Sequence, residues 1–197
     1  MTWEDLNTAP DSPIPFGYKT GWLCVQSKDP LAVIETLGLR DAAPCNWKCG
    51  LELAEGGKDL FVSPSLDSWV LVVGWMETNL DSLSTLAEKF PALAYFASHR
   101  VVDYAAWAKF QGGRLLRAYA YAGDEDTVLW DEGPLTPEEL SLGAARFPRR
   151  GEAVSWDEAQ FPDEETVLAL AAAWGVDTGF SGKEYPPALG WLTRKDH

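Results

Sequence analysis

The chain has 197 residues, of which 46% are hydrophobic and 23% are charged, and its formal net charge is −14. This composition is typical of a folded globular protein rather than a disordered one, and the length fits a single domain. The longest apolar runs reach about eight residues, far short of the ~20 that a membrane-spanning helix needs. The negative charge argues against nucleic acid or an anionic membrane as a partner.

The first half of the chain predicts alternating strands and helices. Residues 1–16 are rich in proline and predict an extended lead-in to a single α+β domain that covers residues 17–197. The predicted elements are a strand in 17–27, a helix in 31–39, strands in 59–63 and 68–76, a helix in 81–90 and a strand in 92–102. Segment 46–55 is ambiguous between helix and strand. The β-α-β-β-α-β order is that of a ferredoxin-like fold, in which two helices cover one face of an antiparallel sheet.

The second half predicts a β-hairpin followed by helices. Residues 115–122 and 127–130 are predicted strands, and the acidic turn 123–126 connects them. Thr136 is a helix N-cap that is followed by Pro137, and another helix start lies at residues 162–166. The fold class predicted for the whole chain is therefore α+β, with a hairpin that extends the ferredoxin-like sheet and with helices at the C-terminal end.

Most of the negative charge lies in one segment. Residues 124–165 contain 13 acidic residues and only three arginines, a net charge of −10. Such a segment either keeps the protein soluble or attracts a basic partner and accelerates their encounter. The second interpretation predicts a partner-binding surface of acidic residues and exposed tryptophans, formed by Asp124, Glu125, Asp126, Trp130, Asp131, Glu132, Trp156, Asp157 and Glu158.

No pattern in the sequence indicates catalysis or a bound metal. The three cysteines and two histidines do not have the spacing of a zinc site, and the motifs of nucleotide-binding proteins and hydrolases are absent from the sequence. We therefore predict no cofactor, no metal and no enzymatic activity. The acidic, polar start of the chain has no apolar segment of the kind found in signal peptides, so the sequence predicts a cytoplasmic protein.

Two alternatives remain open. The first is a small-ligand-binding protein or enzyme with an aromatic pocket around His99, to which Arg117, Tyr119 and Trp69 would contribute. A direct pair between His99 and Asp103 would require the strand to bend, because residues i and i+4 of a strand lie about 13 Å apart. The second alternative is an oligomer that forms through an apolar strand face.

Residues 96–143 resemble a sparsely described group of small, acidic, tryptophan-rich bacterial proteins. The similarity consists of a His-Arg strand end, an Ala-Trp segment, an Arg-Ala-Tyr-Ala-Tyr strand and an Asp-Glu-Gly exit before a helix. The matching positions are His99, Arg100, Trp107, Arg117, Tyr119, Tyr121, Asp131, Glu132, Gly133, Thr136, Glu138 and Glu139. Some proteins of this kind look like immunity partners of polymorphic or contact-delivered toxins. The resemblance implies an inhibitor that neutralises a basic toxin domain, and it implies no catalytic residue.

Overall fold

The computed structural model describes residues 2–76, 78–151 and 159–195. These residues form a mixed α+β architecture with nine strands in one antiparallel sheet and five α-helices. The strands are β1 Gly21–Gln26, β2 Arg40–Cys45, β3 Asp59–Val62, β4 Trp69–Val73, β5 Ala92–His99, β6 Tyr104–Gln111, β7 Arg114–Ala122, β8 Thr127–Glu132 and β9 Gly190–Arg194. The helices are α1 Pro30–Thr36, α2 Trp47–Ala54, α3 Leu80–Ala87, α4 Pro137–Ser141 and α5 Glu164–Ala173.

The sheet is larger than the sequence predicts. Its strand order is β2-β9-β3-β4-β1-β5-β6-β7-β8, so the C-terminal strand β9 lies between β2 and β3. Strands β2, β6 and β9 are absent from the prediction, and segment 46–55 is helical. The predicted ferredoxin-like order is not confirmed, because β2 and α2 lie between α1 and β3 in the chain. Only the mixed α+β class is confirmed.

Both faces of the sheet are covered, because the strands alternate between two apolar clusters. On one face Trp22, Phe96 and Trp107 pack with residues of α2 and α5. On the other face Leu23 and Val72 pack with residues of α1 and α3. Burial of both faces explains why β4 and the first six residues of β5 are continuously apolar rather than alternating. Among the described residues, no helix has the length and apolar character needed to cross a bilayer.

The N-terminal lead-in packs against the domain. The Asp11 carboxylate accepts hydrogen bonds from the backbone N–H groups of Trp47 (2.7 Å) and Lys48 (3.1 Å) at the start of α2. The Asn46 side chain accepts a third bond from the Cys49 N–H at 3.0 Å. These bonds satisfy helix N-terminal donors that have no partner within the helix. The lead-in therefore contributes to the helical state of segment 46–55.

Helix α3 offers a test of local stabilisation by its N-terminal cap. The Asn79 side chain accepts a bond from the Ser82 N–H at 2.8 Å, and the Ser82 hydroxyl lies 3.2 Å from the Asn79 N–H. We expect Asn79→Ala to lower the free energy of unfolding by about 1 kcal/mol, because both bonds of this capping box are weakened. Urea unfolding measures the loss. Ser84→Ala inside the same helix is the control, and an equal loss there would contradict the capping explanation.

Candidate functional site

Four segments of the chain meet at one end of the sheet, which we call the acidic end. They are residues 17–20 before β1, the β5–β6 turn 100–103, the β7–β8 turn 123–126 and residues 161–165 at the start of α5. The antiparallel order brings the two turns to the same end, because β5 and β7 both finish there while β6 and β8 both begin there. Glu164 connects α5 to this end through a hydrogen bond from the Lys19 N–H.

The two turns are in direct contact. The Gly123 N–H donates to the Asp103 carbonyl oxygen at 3.2 Å. A side chain at position 123 would collide with the Cβ and backbone of Asp103, so this contact requires glycine. Asp103 and Asp126 have left-handed backbone conformations, with φ of 46° and 49°. Aspartate and asparagine adopt this conformation more readily than most residues, which gives these acidic residues a role in the turn as well.

Between the turns and α5 lies a cleft of about 500 Å³, which we call the acidic cleft. Among the described residues, its lining includes the acidic residues Asp103, Asp126, Asp163 and Glu164 and one cationic residue, Arg100. Aromatic rings form part of its wall, and the rings of Tyr121 and Phe161 lie 5.3 Å apart. A concave surface that combines carboxylates with aromatic rings is suited to a cationic group.

Apolar side chains are exposed beside these carboxylates. Val101 is 71% exposed and Tyr18 is 54% exposed, and smaller fractions of Val102 and Phe161 are also accessible. The Tyr18 hydroxyl donates to Glu165 at 2.9 Å, which places its ring next to the start of α5. Exposed aromatic and aliphatic groups within a polar rim are characteristic of surfaces that bind other proteins.

The predicted partner-binding residues divide into three groups. Asp124, Glu125 and Asp126 are exposed at the acidic end. Trp130, predicted to be an exposed contact residue, is half-buried and its ring lies 6.1 Å from that of Tyr95. The predicted residues that lie outside the described part of the chain are Trp156, Asp157 and Glu158.

The remaining two, Asp131 and Glu132, form ion pairs within the protein. The Asp131 side chain is 6% exposed and pairs with Arg117 (2.8 Å) and Arg149 (2.7 Å). Glu132 pairs with Arg150 at 3.3 Å. The charge of Asp131 is therefore balanced internally and that of Glu132 is offset at the surface. Among the predicted partner-binding residues that the structure describes, the acidic residues without an ion pair are those of the 124–126 turn.

Arg117 is the centre of a buried polar network beneath α4. Its Nε donates to Glu139 Oε1 at 2.8 Å, and both side chains are 1% exposed. The indole N–H of Trp107 donates to the same oxygen, and the Thr136 N–H donates to Oε2, each at 2.8 Å. The Tyr119 hydroxyl donates to the Pro148 carbonyl at 3.0 Å. This network attaches α4 and the segment after it to strands β6 and β7.

The structure does not bring together the four residues of the alternative pocket. Arg117 and Tyr119 are buried under α4 on one face of the sheet. His99 follows Tyr95 and Ala97 on the opposite face, with its ring 5.7 Å from that of Trp75. Trp69 lines a separate cleft of about 220 Å³ next to residues 175–185. Neither this cleft nor the acidic cleft is lined by His99.

The cysteines are buried and free of disulfides. Cys24, Cys45 and Cys49 are all at most 1% exposed. Burial raises the pKa of the Cys45 thiol to about 12, with a smaller effect from Cys49 nearby. A thiol with a raised pKa is a poor nucleophile and metal ligand. Within the described ranges, no group of three or more Cys, His, Asp or Glu residues is arranged to hold a metal ion.

Tyr121 in the cleft wall makes the stability of the fold sensitive to pH in the alkaline range. Burial, followed by the hydrogen bond and charge of Asp126, raises its pKa to about 12. Because the pKa in the unfolded chain is about 10, the neutral form is favoured by folding, and this contribution is lost as the pH rises from about 10 through 12. Burial raises the pKa of Tyr104 and Tyr119 as well.

We therefore expect the free energy of unfolding to fall with pH in this range, and less steeply in Tyr121→Phe than in the wild type. Urea unfolding at a series of pH values between about 9 and 12 measures both slopes. The loss of the Tyr121–Asp126 hydrogen bond lowers the stability of the variant at every pH up to about 10. The test therefore compares how steeply the free energy of unfolding falls with pH in the two proteins, and not its absolute value. Equal slopes would contradict a contribution from Tyr121.

Comparisons with protein-family models, curated proteins and solved structures give no match to this chain. The functional inference is therefore carried by the geometry and charge of the acidic end. The sequence predicted Asp124–Asp126 for this surface but not Tyr18, Val101 and Phe161, and it suggested Asp103 only as a partner of His99. These residues come from segments that are far apart in the chain. The signal that would have found them is the pairing of β5, β6 and β7, which places alternate turns at one end.

Proposed function

We propose that this chain is a cytoplasmic protein-binding module, an immunity-type inhibitor that neutralises a basic toxin domain through its acidic end. The observation that carries the proposal is the combination at the acidic end of exposed apolar side chains, such as Val101 and Tyr18, with several carboxylates that form no ion pair among the described residues. Within the described residues, Asp103, Asp124 and Glu125 form no ion pair with lysine or arginine, whereas Asp131 and Glu132 do.

This combination favours binding over a role in solubility alone. Acidic residues that serve only solubility are expected to be dispersed over the surface, with apolar groups kept away from solvent. At the acidic end, carboxylates surround accessible apolar groups and a cleft. Carboxylates of this kind accelerate encounter with a basic partner, and buried apolar contacts then slow dissociation.

The proposal is tested by affinity capture from the native host with three forms of the protein. They are the wild type, the variant D124N/E125Q/D126N and the charge-matched control E35Q/E52Q/E55Q, whose substitutions lie at exposed positions on α1, on α2 and directly after α2. A basic protein retained by the wild type and the control, but reduced on the first variant, supports the proposal. Co-expression with the captured protein or with the product of the adjacent gene then tests protection from toxicity.

Two results would contradict the proposal. Equal capture by both variants would show that the acidic end has no special role in binding. Failure of the chain to protect against any neighbouring gene product would remove the inhibitor function. Asn and Gln are suitable replacements because they remove charge with little change in shape, and Asn tolerates the left-handed conformation of residue 126.

A further inference from the structure

A small cleft with aromatic walls lies at the end of the sheet opposite the acidic end. We call it the aromatic cleft, and its lining includes Trp69, Phe180 and Tyr185. Trp69 begins β4 and pairs with Gln26 at the end of β1, whereas residues 17–20 of the acidic end precede β1. The aromatic cleft has a volume of about 220 Å³, below the ~300–1,000 Å³ of pockets for drug-sized ligands, so it suits a small chemical group.

Two rings of the aromatic cleft meet nearly at a right angle. The centroids of Phe180 and Tyr185 are 6.1 Å apart and their planes make an angle of 83°. The Tyr185 hydroxyl donates to the Asp67 carboxylate at 2.9 Å, and the Phe180 ring lies 5.7 Å from that of Trp47. Phe180 has a φ of 53°, which is rare for a bulky residue and indicates that its surroundings fix its position. Because a cation is attracted to a ring within about 6 Å of its centroid, a cation between these two rings reaches both.

The charge around the aromatic cleft also favours a cation. Among the described residues, its lining includes Asp67, Asp177 and one cationic residue, Lys183. Asp177 accepts two backbone hydrogen bonds within its own turn at 2.8 Å, and Asp67 pairs with the exposed Lys183 ammonium group at 2.8 Å. Both carboxylates are therefore already bonded, and they would act on a ligand through their electric field. Ala172 in the last turn of α5 lines the cleft as well, and the C-terminus of a helix carries partial negative charge.

The apolar part of the lining selects the kind of cation. Leu66, Leu71 and Val176 line the aromatic cleft, and their side chains cannot replace the water around a strongly hydrated primary ammonium group. A quaternary ammonium group carries methyl groups on its surface, and aromatic rings recognise it. We propose that the aromatic cleft binds a quaternary ammonium group, carried either by a choline-like molecule or by a trimethylated lysine side chain. This site is independent of the acidic end and of the function proposed for it.

The experiment is a titration of the full-length ¹⁵N-labelled protein with choline at low ionic strength. The control is dimethylbutanol, the neutral isostere in which a tert-butyl group replaces the trimethylammonium group of choline. We expect choline to shift the indole N–H signal of Trp69 and to bind about tenfold or more tightly than its isostere. Capped trimethyl-lysine tests the second source of the group, and capped unmethylated lysine should bind several-fold more weakly than it. Equal binding of choline and its isostere, or no shift with either quaternary ammonium compound, would overturn the inference.

Substitutions test the role of individual residues. Tyr185→Leu removes one ring and should weaken choline binding by about fivefold or more, whereas Tyr185→Phe keeps the ring and should retain most of the binding. Tyr18→Leu, at the acidic end, is the matched control and should have no effect. Lys183→Gln should tighten choline binding several-fold, because it removes a competing cation that is 60% exposed and whose loss leaves the fold intact. Unchanged or weaker binding to Lys183→Gln would overturn the inference even where Tyr185→Leu disturbs the fold.

Discussion

Replacement of Glu139 by alanine is expected to lower the free energy of unfolding by about 3–5 kcal/mol, the largest effect we expect from any single substitution. The variant leaves the Arg117 guanidinium buried at 1% exposure, with Asp131 still paired to Nη1 but without the carboxylate that accepts from Nε. It also removes the acceptor for the Trp107 indole N–H and for the Thr136 N–H at the start of α4. A buried donor that loses its partner keeps the full cost of its desolvation.

The size of this effect is measured by urea unfolding against a surface control. Glu132→Ala removes an ion pair with Arg150, whose side chain is 60% exposed, and should cost at most about 1 kcal/mol. The substitution Glu139→Gln retains an oxygen acceptor and should fall between the two. A loss below about 1 kcal/mol in Glu139→Ala would show that Arg117 finds water or another acceptor, and that the network contributes little to stability.

The second large effect concerns the rate of association with the captured basic partner. We expect D124N/E125Q/D126N to associate on the order of tenfold more slowly than the wild type at low ionic strength, with a much smaller change in dissociation. The three carboxylates lie in an exposed turn and act at a distance, before close contact forms. The difference should shrink as salt is added, because the Debye length falls from about 10 Å at 0.1 M to about 3 Å at 1 M.

Stopped-flow or surface-based kinetics at several salt concentrations measure this effect. The charge-matched E35Q/E52Q/E55Q variant is the control, since it changes the net charge equally at positions on α1, on α2 and directly after α2. Equal slowing in both variants would indicate attraction by the total charge, and no slowing in either would remove the role of charge in encounter. Trp130 is unsuitable as a contact probe, because its ring packs near Tyr95 and its replacement would alter stability.

The sequence alone determined the elements whose signals are local. The Thr136 cap with Pro137 and Glu139 predicted the start of α4, and the structure confirms it. Asp163 likewise caps α5, where a helix start was predicted. The apolar runs of β4 and β5 and the acidic turn between β7 and β8 were also evident. Caps, turns and continuous apolar strands depend on neighbouring residues, so they are readable without the rest of the fold.

The tertiary structure alone decided the strands that depend on distant partners. Strand β6, with the sequence YAAWAKFQ, is rich in alanine and shows no regular alternation of apolar and polar residues, because helices cover both faces of the sheet. Strand β9 has a structural role only because its residues pair with β2 and β3, more than a hundred positions earlier in the chain. Pairing over such separations leaves no local pattern.

The candidate site likewise combines features that the sequence predicts locally with features that only the tertiary structure brings together. The acidic turn was visible in the sequence, but its association with Tyr18, Val101 and Glu164 required β6 to join two turns at one end of the sheet. A net charge summed from the sequence also does not distinguish Asp131 from Asp124. Only the packed structure separates them, because Asp131 is neutralised by Arg117 and Arg149 while Asp124 remains exposed to solvent. Composition determines how much charge a chain carries, whereas the fold determines which charges remain available to a partner.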